Sequence, residues 1–436
     1  MLSDVLTIKH PQPYPESYYA ASRIEIPDRP ALSDTVEVDV CVVGAGFSGM
    51  STALFLAEKG YQVALLEACH VGWGAAGRNG GHLINGFNGG VSFLEKHLGV
   101  KDHDVIKTFH LEGAEIIKDW VGKYDIQCDL KFGHMITAYT DKQVKELEEE
   151  IEQLHAYGLS KMHMVDREVA QKETGSSVYA GGYKDPYSGH LHPLNLVLGE
   201  AAAFEKLGGK IFEQSPMIGY ASASYGVLVK TAKGQVKAKK LVLCGEAYMG
   251  DTEKRISKRM MPVSTQVIAT EPLSEAQQKE ILPNDLAVAD CRYILDYFRL
   301  SADKRLIFGG GSTYGGSTPA QAEQKLRGNL EKVYPQLKGI KADYVWTGNM
   351  AFCYTRHPDL GTLTNNVYYL HGFCGHGVNV THIYGRTMAE AIDEKFDRYN
   401  LFTKAPQRPF PGGQRFRVPY SIMGSWWYGL RDRLGV

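Results

Sequence analysis

The chain has 436 residues, 44% hydrophobic and 22% charged, enough for roughly two to three domains with a sizeable core. Its 48 basic and 49 acidic side chains leave a formal charge of −1 without blocks of like charge, which excludes a nucleic-acid-binding surface and a disordered chain. Seven dispersed cysteines without a C-x-x-C pair exclude a disulfide framework and a zinc site, and there is neither a signal-peptide core nor an apolar run of about 18 residues; a soluble, cytoplasmic protein is expected.

Residues 1–35 are rich in Pro and Tyr and read as an arm laid over the surface. Val36–Val43 alternates and then turns wholly apolar, as a buried parallel strand does. The turn Gly44-Ala45-Gly46-Phe47-Ser48-Gly49 follows, then a helix stopped at Gly60 and a strand over Gln62–Leu66, which make one β-α-β unit. Residues 102–157 read as helical, with the charged run Asp141–Gln153 as a solvated helix face. A helix over Leu194–Leu207 precedes strands at Lys210–Glu213, Val227–Thr231 and Val236–Leu243. Met261–Thr270, Tyr293–Leu300 and Arg305–Gly309 read as antiparallel strands. Val367–Leu370 is a strand, followed by a glycine loop and a helix from about Thr381 to Phe396.

Parallel elements thus lie at the beginning, middle and end of the chain. The expected class is α/β: a Rossmann-like domain (36–100, 186–258 and 346–400) interleaved with an α+β, antiparallel-sheet substrate domain (101–185 and 259–345). The arm (1–35) and an aromatic tail (401–436) flank them. In the tail, residues 420–431 read as a helix packed on its own domain or on a subunit neighbour, in preference to a membrane-surface segment, because glycines interrupt any amphipathic face.

The glycine turn has the context a dinucleotide needs: a strand before it, a helix after it, and Glu67 at the end of the next strand. Gly44 makes the turn, Gly46 admits a pyrophosphate to the backbone, and Gly49 lets helix and strand pack. The helix N-terminus, with Phe47 and Ser48, offers N–H donors, and Glu67, with Ala68 beside it, can accept from a ribose diol. A second glycine segment, Gly72 to Gly81, suits a diphosphate and a flat ring, and Arg78 suits phosphate or holding the loop.

The pairing of G-A-G-F-S-G, Glu67 and G-R-N-G-G (Gly77 to Gly81) resembles the FAD-dependent amine oxidases of the D-amino-acid oxidase superfamily. Gln235 to Gly245 and His371-Gly372-Phe373-Cys374-Gly375-His376-Gly377-Val378-Asn379 resemble that superfamily's flavin-side segments, with Cys374 for the usual Ser. Segments from Ser17–Ser22 to the L-R-D-R-L-G-V tail, among them Gly189–Leu196, Leu295–Asp303 and Trp346–Asn349, resemble the branch that oxidises γ-glutamylated putrescine.

The resemblance implies FAD held by Gly44, Gly46, Phe47, Ser48, Gly49, Glu67, Ala68, Gly74, Arg78, Asn79, Gly80, Gly81, Gly245, Gly375, Gly377, Val378 and Asn379. Cys353 is one residue out of register with the tethering cysteine of some relatives, so the FAD is expected to be non-covalent. The implied reaction is oxidation of a primary amine to an aldehyde with release of ammonia and hydrogen peroxide, oxygen being the acceptor. His376 reads either as a donor in the flavin-side loop or as a packed structural histidine.

Asn379 stands where sarcosine-type members have a carboxylate-clamping Lys, and Asn349–Thr355 offers no Arg, although Arg356 lies just beyond. A substrate without an α-carboxylate beside the flavin is therefore favoured. Tyr293, Tyr297, Phe298 and Tyr354 form either the amine's slot or sheet packing; Tyr297, Tyr354, His376 and Asn379 are the candidate catalytic residues. His190 and His192 read as structural, no metal site is expected, and self-association is left open. The rival readings are a pipecolate- or sarcosine-type amino-acid oxidase or dehydrogenase, and a non-catalytic FAD-binding protein.

Overall fold

The strand Thr35–Val43 pairs in parallel with two partners, Val63–Leu66 close by in sequence and Gln235–Leu243 some 200 residues away. The computed structural model describes residues 11–313 and 319–411, with short pieces between 416 and 431. Around this strand a first sheet forms in the order Asp359–Thr364, Val367–His371, Gln235–Leu243, Thr35–Val43, Val63–Leu66, Lys210–Phe212. Its central residues Val40, Cys41, Val42 and Leu241 to Leu243 are buried, as expected for parallel strands covered on both faces. Helices Phe47–Glu58, Pro193–Lys206 and Gly377–Ile392 pack together on one face. The hairpin Gly219–Ala223/Gly226–Lys230 and the segment from Ala247 to Ile256 share an apolar cluster on the other.

The second sheet runs Ala342–Cys353, Met260–Pro272, Arg305–Thr313, Asp296–Leu300, Ala287–Asp290, Lys131–Ala138, Gly181–His190, His82–Leu83. Among the described residues, only Ala287–Asp290 and Lys131–Ala138 pair in parallel along it. The two sheets are threaded through one another in sequence, which makes this a mixed α/β fold.

Several expectations change. Residues 102–157 are not continuously helical: His103–Tyr124 and Asp141–Ala156 are helices, but Lys131–Ala138 between them is a strand. Asp125 caps the first helix at positive φ, Asp129 turns the chain again at positive φ, and pairing on both sides then recruits Lys131–Ala138 into the sheet. The helix expected from Thr381 begins at Gly377, directly after Cys374 and Gly375 turn the backbone at φ 53 and 85. Strands Gly181–His190 and Ala342–Cys353 run whole across the expected boundaries at 185/186 and 345/346. The arm is built in, not laid on: Tyr19 is wholly buried, and Arg29 pairs with Glu205 and Glu213.

Residues 1–10 and 432–436, with Tyr420, Ser421, Ser425 and Tyr428 of the tail, lie outside the described residues. The described residues between 416 and 431 are helical; Trp426 and Trp427 are exposed, while the Arg431 guanidinium lies 4.8 Å from the Tyr293 ring centre. No helix among the described residues is long and apolar enough to cross a membrane.

Candidate active site

The carboxyl ends of the parallel strands open into a cavity of about 930 Å³ that continues across the face of the second sheet. At its inner end the chain turns at Gly44 with φ 105, a conformation that favours glycine. A methyl group on Gly49 would stand 1.8 Å from the Gly44 carbonyl oxygen, so this glycine is fixed by helix–strand packing and does not itself line the cavity. Gly46 is different: a methyl group there meets only Ala76, at 3.7 Å, so the space in front of it belongs to the cavity.

Gly46 caps the helix Phe47–Glu58 without any side-chain hydrogen bond, and His376 caps Gly377–Ile392 in the same way. Two uncapped helix N-termini therefore face one cavity and direct partial positive charge into it. Glu67, at the end of Val63–Leu66, accepts from the N–H groups of Ala45 (2.8 Å) and Cys69 (2.9 Å). Burial raises its pKa, and those two donors oppose the rise.

In the second glycine segment Arg78 donates to the Trp73 carbonyl at 2.7 Å, and its guanidinium carbon lies 4.0 Å from the Trp73 ring centre. Its Nη2 is buried and unpartnered, and burial lowers its pKa. Asn79 closes the turn by donating to the carbonyls of Ala75 and Ala76 and accepting from Gly81 N–H. Gly80 lies flat against the Tyr297 ring. Gly81 stands behind the cavity wall, against the Arg299 guanidinium, which also holds the Gly80 carbonyl and the Tyr19 hydroxyl.

These features fit FAD on the chain's own geometry: room at Gly46, a buried cation with an unpaired N–H group, and two helix N-termini for a diphosphate and a ring that gains negative charge. Gly44, Gly46, Phe47, Ser48, Glu67, Ala68, Gly74, Arg78, Asn79, Gly80, Gly245, Gly375, Gly377, Val378 and Asn379 all line the cavity.

His376 and Asn379 face one backbone segment. His376 Nε2 lies 3.4 Å from the Asn85 carbonyl oxygen, and Asn379 Nδ2 donates to the Gly86 carbonyl at 3.5 Å. Both contacts tie segment 85–86 to the helix N-terminus. Burial lowers the pKa of His376 and takes His110 to about 4 and His134 to about 3. His82, whose Nδ1 lies 3.2 Å from His134 Nε2, is also lowered by burial. Four neutral imidazoles thus line the cavity.

Of the four aromatics, Tyr293 and Tyr297 line the cavity, and Tyr297 is held between Gly80 and Gly309. Phe298 is buried and stacks on Phe308. Tyr354 is a correction: it lies outside the cavity, half-exposed, edge-on to Phe410. The strand Ala342–Cys353 ends one residue earlier, so its alternation no longer aims that side chain. Within the strand, alternation puts Phe352 on the cavity wall and turns Cys353 away, toward Gly372 and Cys374. Arg356, at φ 61, returns to the wall.

His190 lies 2.8 Å from the Asp285 carbonyl oxygen, and His192 caps the helix Pro193–Lys206.

Sequence reasoning missed one side of the cavity. Leu147, Glu150, Gln153 and Leu154 of the helix Asp141–Ala156 line it, together with Ile136, Tyr183 and Asp185 from the strands beneath. The run 141–153 is thus not only a solvated face; the spacing Leu147, Glu150, Leu154 was its signal. Glu246 was missed as well: its carboxylate accepts from the N–H groups of Gly372 and Ala351.

Comparison with known proteins adds a family match, "FAD dependent oxidoreductase" (DAO), over residues 39–391. The chain is 44% identical over 421 residues to γ-glutamylputrescine oxidoreductase of Escherichia coli K12, covering 96% of this chain and 99% of that one. Glycine oxidase from Bacillus cereus superposes with a TM-score of 0.70 at 20% identity, over 85% of this chain and 99% of that one. L-proline dehydrogenase from P. horikoshii gives 0.67 at 21% identity, over 84% and 94%; at these identities the likeness is one of fold.

Proposed function

The chain belongs to the DAO family of FAD-dependent oxidoreductases, and from that premise we propose that it oxidises the terminal primary amine of γ-glutamylputrescine. One amine, one oxygen and one water give one aldehyde, one ammonia and one hydrogen peroxide. FAD, when bound, supplies the acceptor for the hydride that leaves the amine-bearing carbon.

The observation that carries this reading is the charge of the wall. Among the described lining residues are five carboxylates (Glu67, Glu150, Asp185, Glu246, Asp290), three guanidiniums (Arg78, Arg292, Arg356) and no lysine. Arg292 donates to Asp290 and Asp296, each at 2.6 Å, so this pair drops out of both counts and four carboxyl groups stand against two guanidiniums. Such a wall attracts a cationic amine from solution.

Ile136, Leu147, Leu154, Met162, Ile294 and Leu295 offer an apolar lining for a methylene chain, and the clamped Tyr297 ring offers a fixed face. The four neutral imidazoles put no cation against the amine. Cys353 faces away from the cavity, which supports a non-covalent cofactor. All seven cysteines are unpaired, which supports a reducing, cytoplasmic setting.

One observation favours a second reading. Arg356 on the wall could clamp a carboxylate, as an amino-acid oxidase requires. Anaerobic mixing of the holoprotein with γ-glutamylputrescine, putrescine, sarcosine and pipecolate separates the two. Bleaching of the flavin at least about a hundredfold more efficient with γ-glutamylputrescine than with sarcosine or pipecolate is expected, the selectivity that burying a carboxylate without a partner imposes. Preference for sarcosine or pipecolate would establish the second reading, and failure of every amine would leave a non-catalytic flavoprotein.

A further inference from the structure

The helix Asp141–Ala156 carries its charges on exposed positions, and one of them, Glu150, also borders the cavity. Glu150 lies one turn from both Leu147 and Leu154 and faces the cavity with them. It is exposed, and part of its accessible surface opens on the cavity. Burial raises its pKa, and its hydrogen-bond contact is a long one, 3.5 Å from the Tyr183 hydroxyl. No cationic side chain pairs with it among the described residues.

A second group of acceptors lies on the same wall, closer to the flavin-side helix. Asn85 donates through Nδ2 to the Tyr187 carbonyl at 2.7 Å, which fixes its orientation and leaves Oδ1 buried without a donor. Ser188 joins it to Asp185, donating to that carboxylate and accepting from Asn85 N–H. His134 and Asp185 are cross-strand partners, as are Ile136 and Tyr183, so one sheet face leads from Asp185 to Tyr183 and on to Glu150. Along this path the wall offers acceptors at two points and a cation at neither.

We propose that Glu150 is a specificity-determining residue, which receives an ammonium group of the substrate remote from the reacting carbon. This rests on the reading of the substrate as an amine oxidised at one end. In γ-glutamylputrescine the remote group is the α-ammonium of the glutamyl moiety; in a simple diamine it is the second amine.

The test uses substrate pairs that differ only in the remote ammonium: γ-glutamylputrescine against N-glutarylputrescine, and putrescine against butylamine. Holoprotein, wild type and Glu150→Gln, is titrated anaerobically, and the apparent Kd and limiting rate of flavin reduction are read. Glu150→Gln is expected to weaken the ammonium-bearing member at least about tenfold, its desamino partner less than about twofold, and to leave the limiting rates within about threefold. The unchanged flavin spectrum serves as the control for folding.

Equal weakening of both members of each pair, or no change in either, overturns the proposal, as does a wild type that binds each desamino partner as tightly. If γ-glutamylputrescine fails to bleach wild type while Glu150→Gln weakens putrescine selectively, Glu150 keeps its assignment and the substrate reading falls. If γ-glutamylputrescine is oxidised but its pair does not respond, the reverse holds.

Discussion

Glu246 Oε2 accepts the backbone N–H of Gly372 at 2.7 Å and so ties the end of one parallel-sheet strand to the loop after another. Its Oε1 takes the N–H of Ala351, at 3.3 Å, from the second sheet. Two acceptor oxygens are needed, and a glutamine offers one. Glu246→Gln should therefore leave a buried N–H without an acceptor and lower stability by about 1–3 kcal/mol. Urea denaturation should show an earlier midpoint, and fluorescence titration a weaker FAD affinity. Identical midpoints and affinities would show that the carboxylate holds nothing.

The two glycines of the turn should fail differently. Gly49→Ala forces a methyl group to 1.8 Å from a backbone oxygen, so helix and strand must separate, and little soluble protein is expected. Gly46→Val fills only the space in front of the backbone. Its apoprotein should melt close to the wild-type apoprotein but stay colourless when FAD is added. A yellow Gly46→Val protein would mean that the diphosphate lies elsewhere.

His110 should make stability depend on pH. Its folded pKa is about 4, against the usual 6.5, because burial disfavours the imidazolium. Between those values the unfolded chain binds the proton and the folded chain does not, so stability is full above pH 6.5 and falls as pH drops toward 4. For this group the loss amounts to about 3 kcal/mol. Glu67 and Glu246, raised by burial, act with the opposite sign in any variant. The difference between wild type and His110→Gln, followed by urea denaturation from pH 7.5 to 4.5, isolates the histidine. Parallel curves would refute it.

Flavin reduction should accelerate with rising pH if the neutral amine is the hydride donor. The controlling proton sits on the substrate, with an unperturbed pKa of about 10, because the histidines on the wall are already neutral at pH 7. Stopped-flow measurement of anaerobic reduction between pH 7 and 10 reads this directly, and a flat profile would point to a protein base.

What was legible in the sequence lay close together along the chain. Gly44 to Gly49 and Glu67 form one local unit whose chemistry needs no distant partner to be read. Gly375 to Asn379 was legible for the same reason, although the helix starts at Gly377 and not near Thr381. What stayed hidden depended on long-range pairing. Lys131–Ala138 is a strand because Gly181–His190 and Ala287–Asp290 flank it. Glu150 faces inward because that sheet lies beneath its helix. Tyr354 was misplaced because closeness in sequence to the wall residues Asn349, Met350 and Phe352 says nothing about where the strand that carries them stops.

The two helix N-termini that face the cavity begin at Phe47 and Gly377, some 330 residues apart. A nascent chain therefore holds half a cradle for most of its synthesis. The β-α-β unit can form early, but the flavin-side wall waits for the loop around Gly375 to leave the ribosome. Cofactor capture must then be a late event, after both sheets have closed. A chain that stalls before that point emerges as an apoprotein with an open apolar cleft, a substrate for chaperones and proteases.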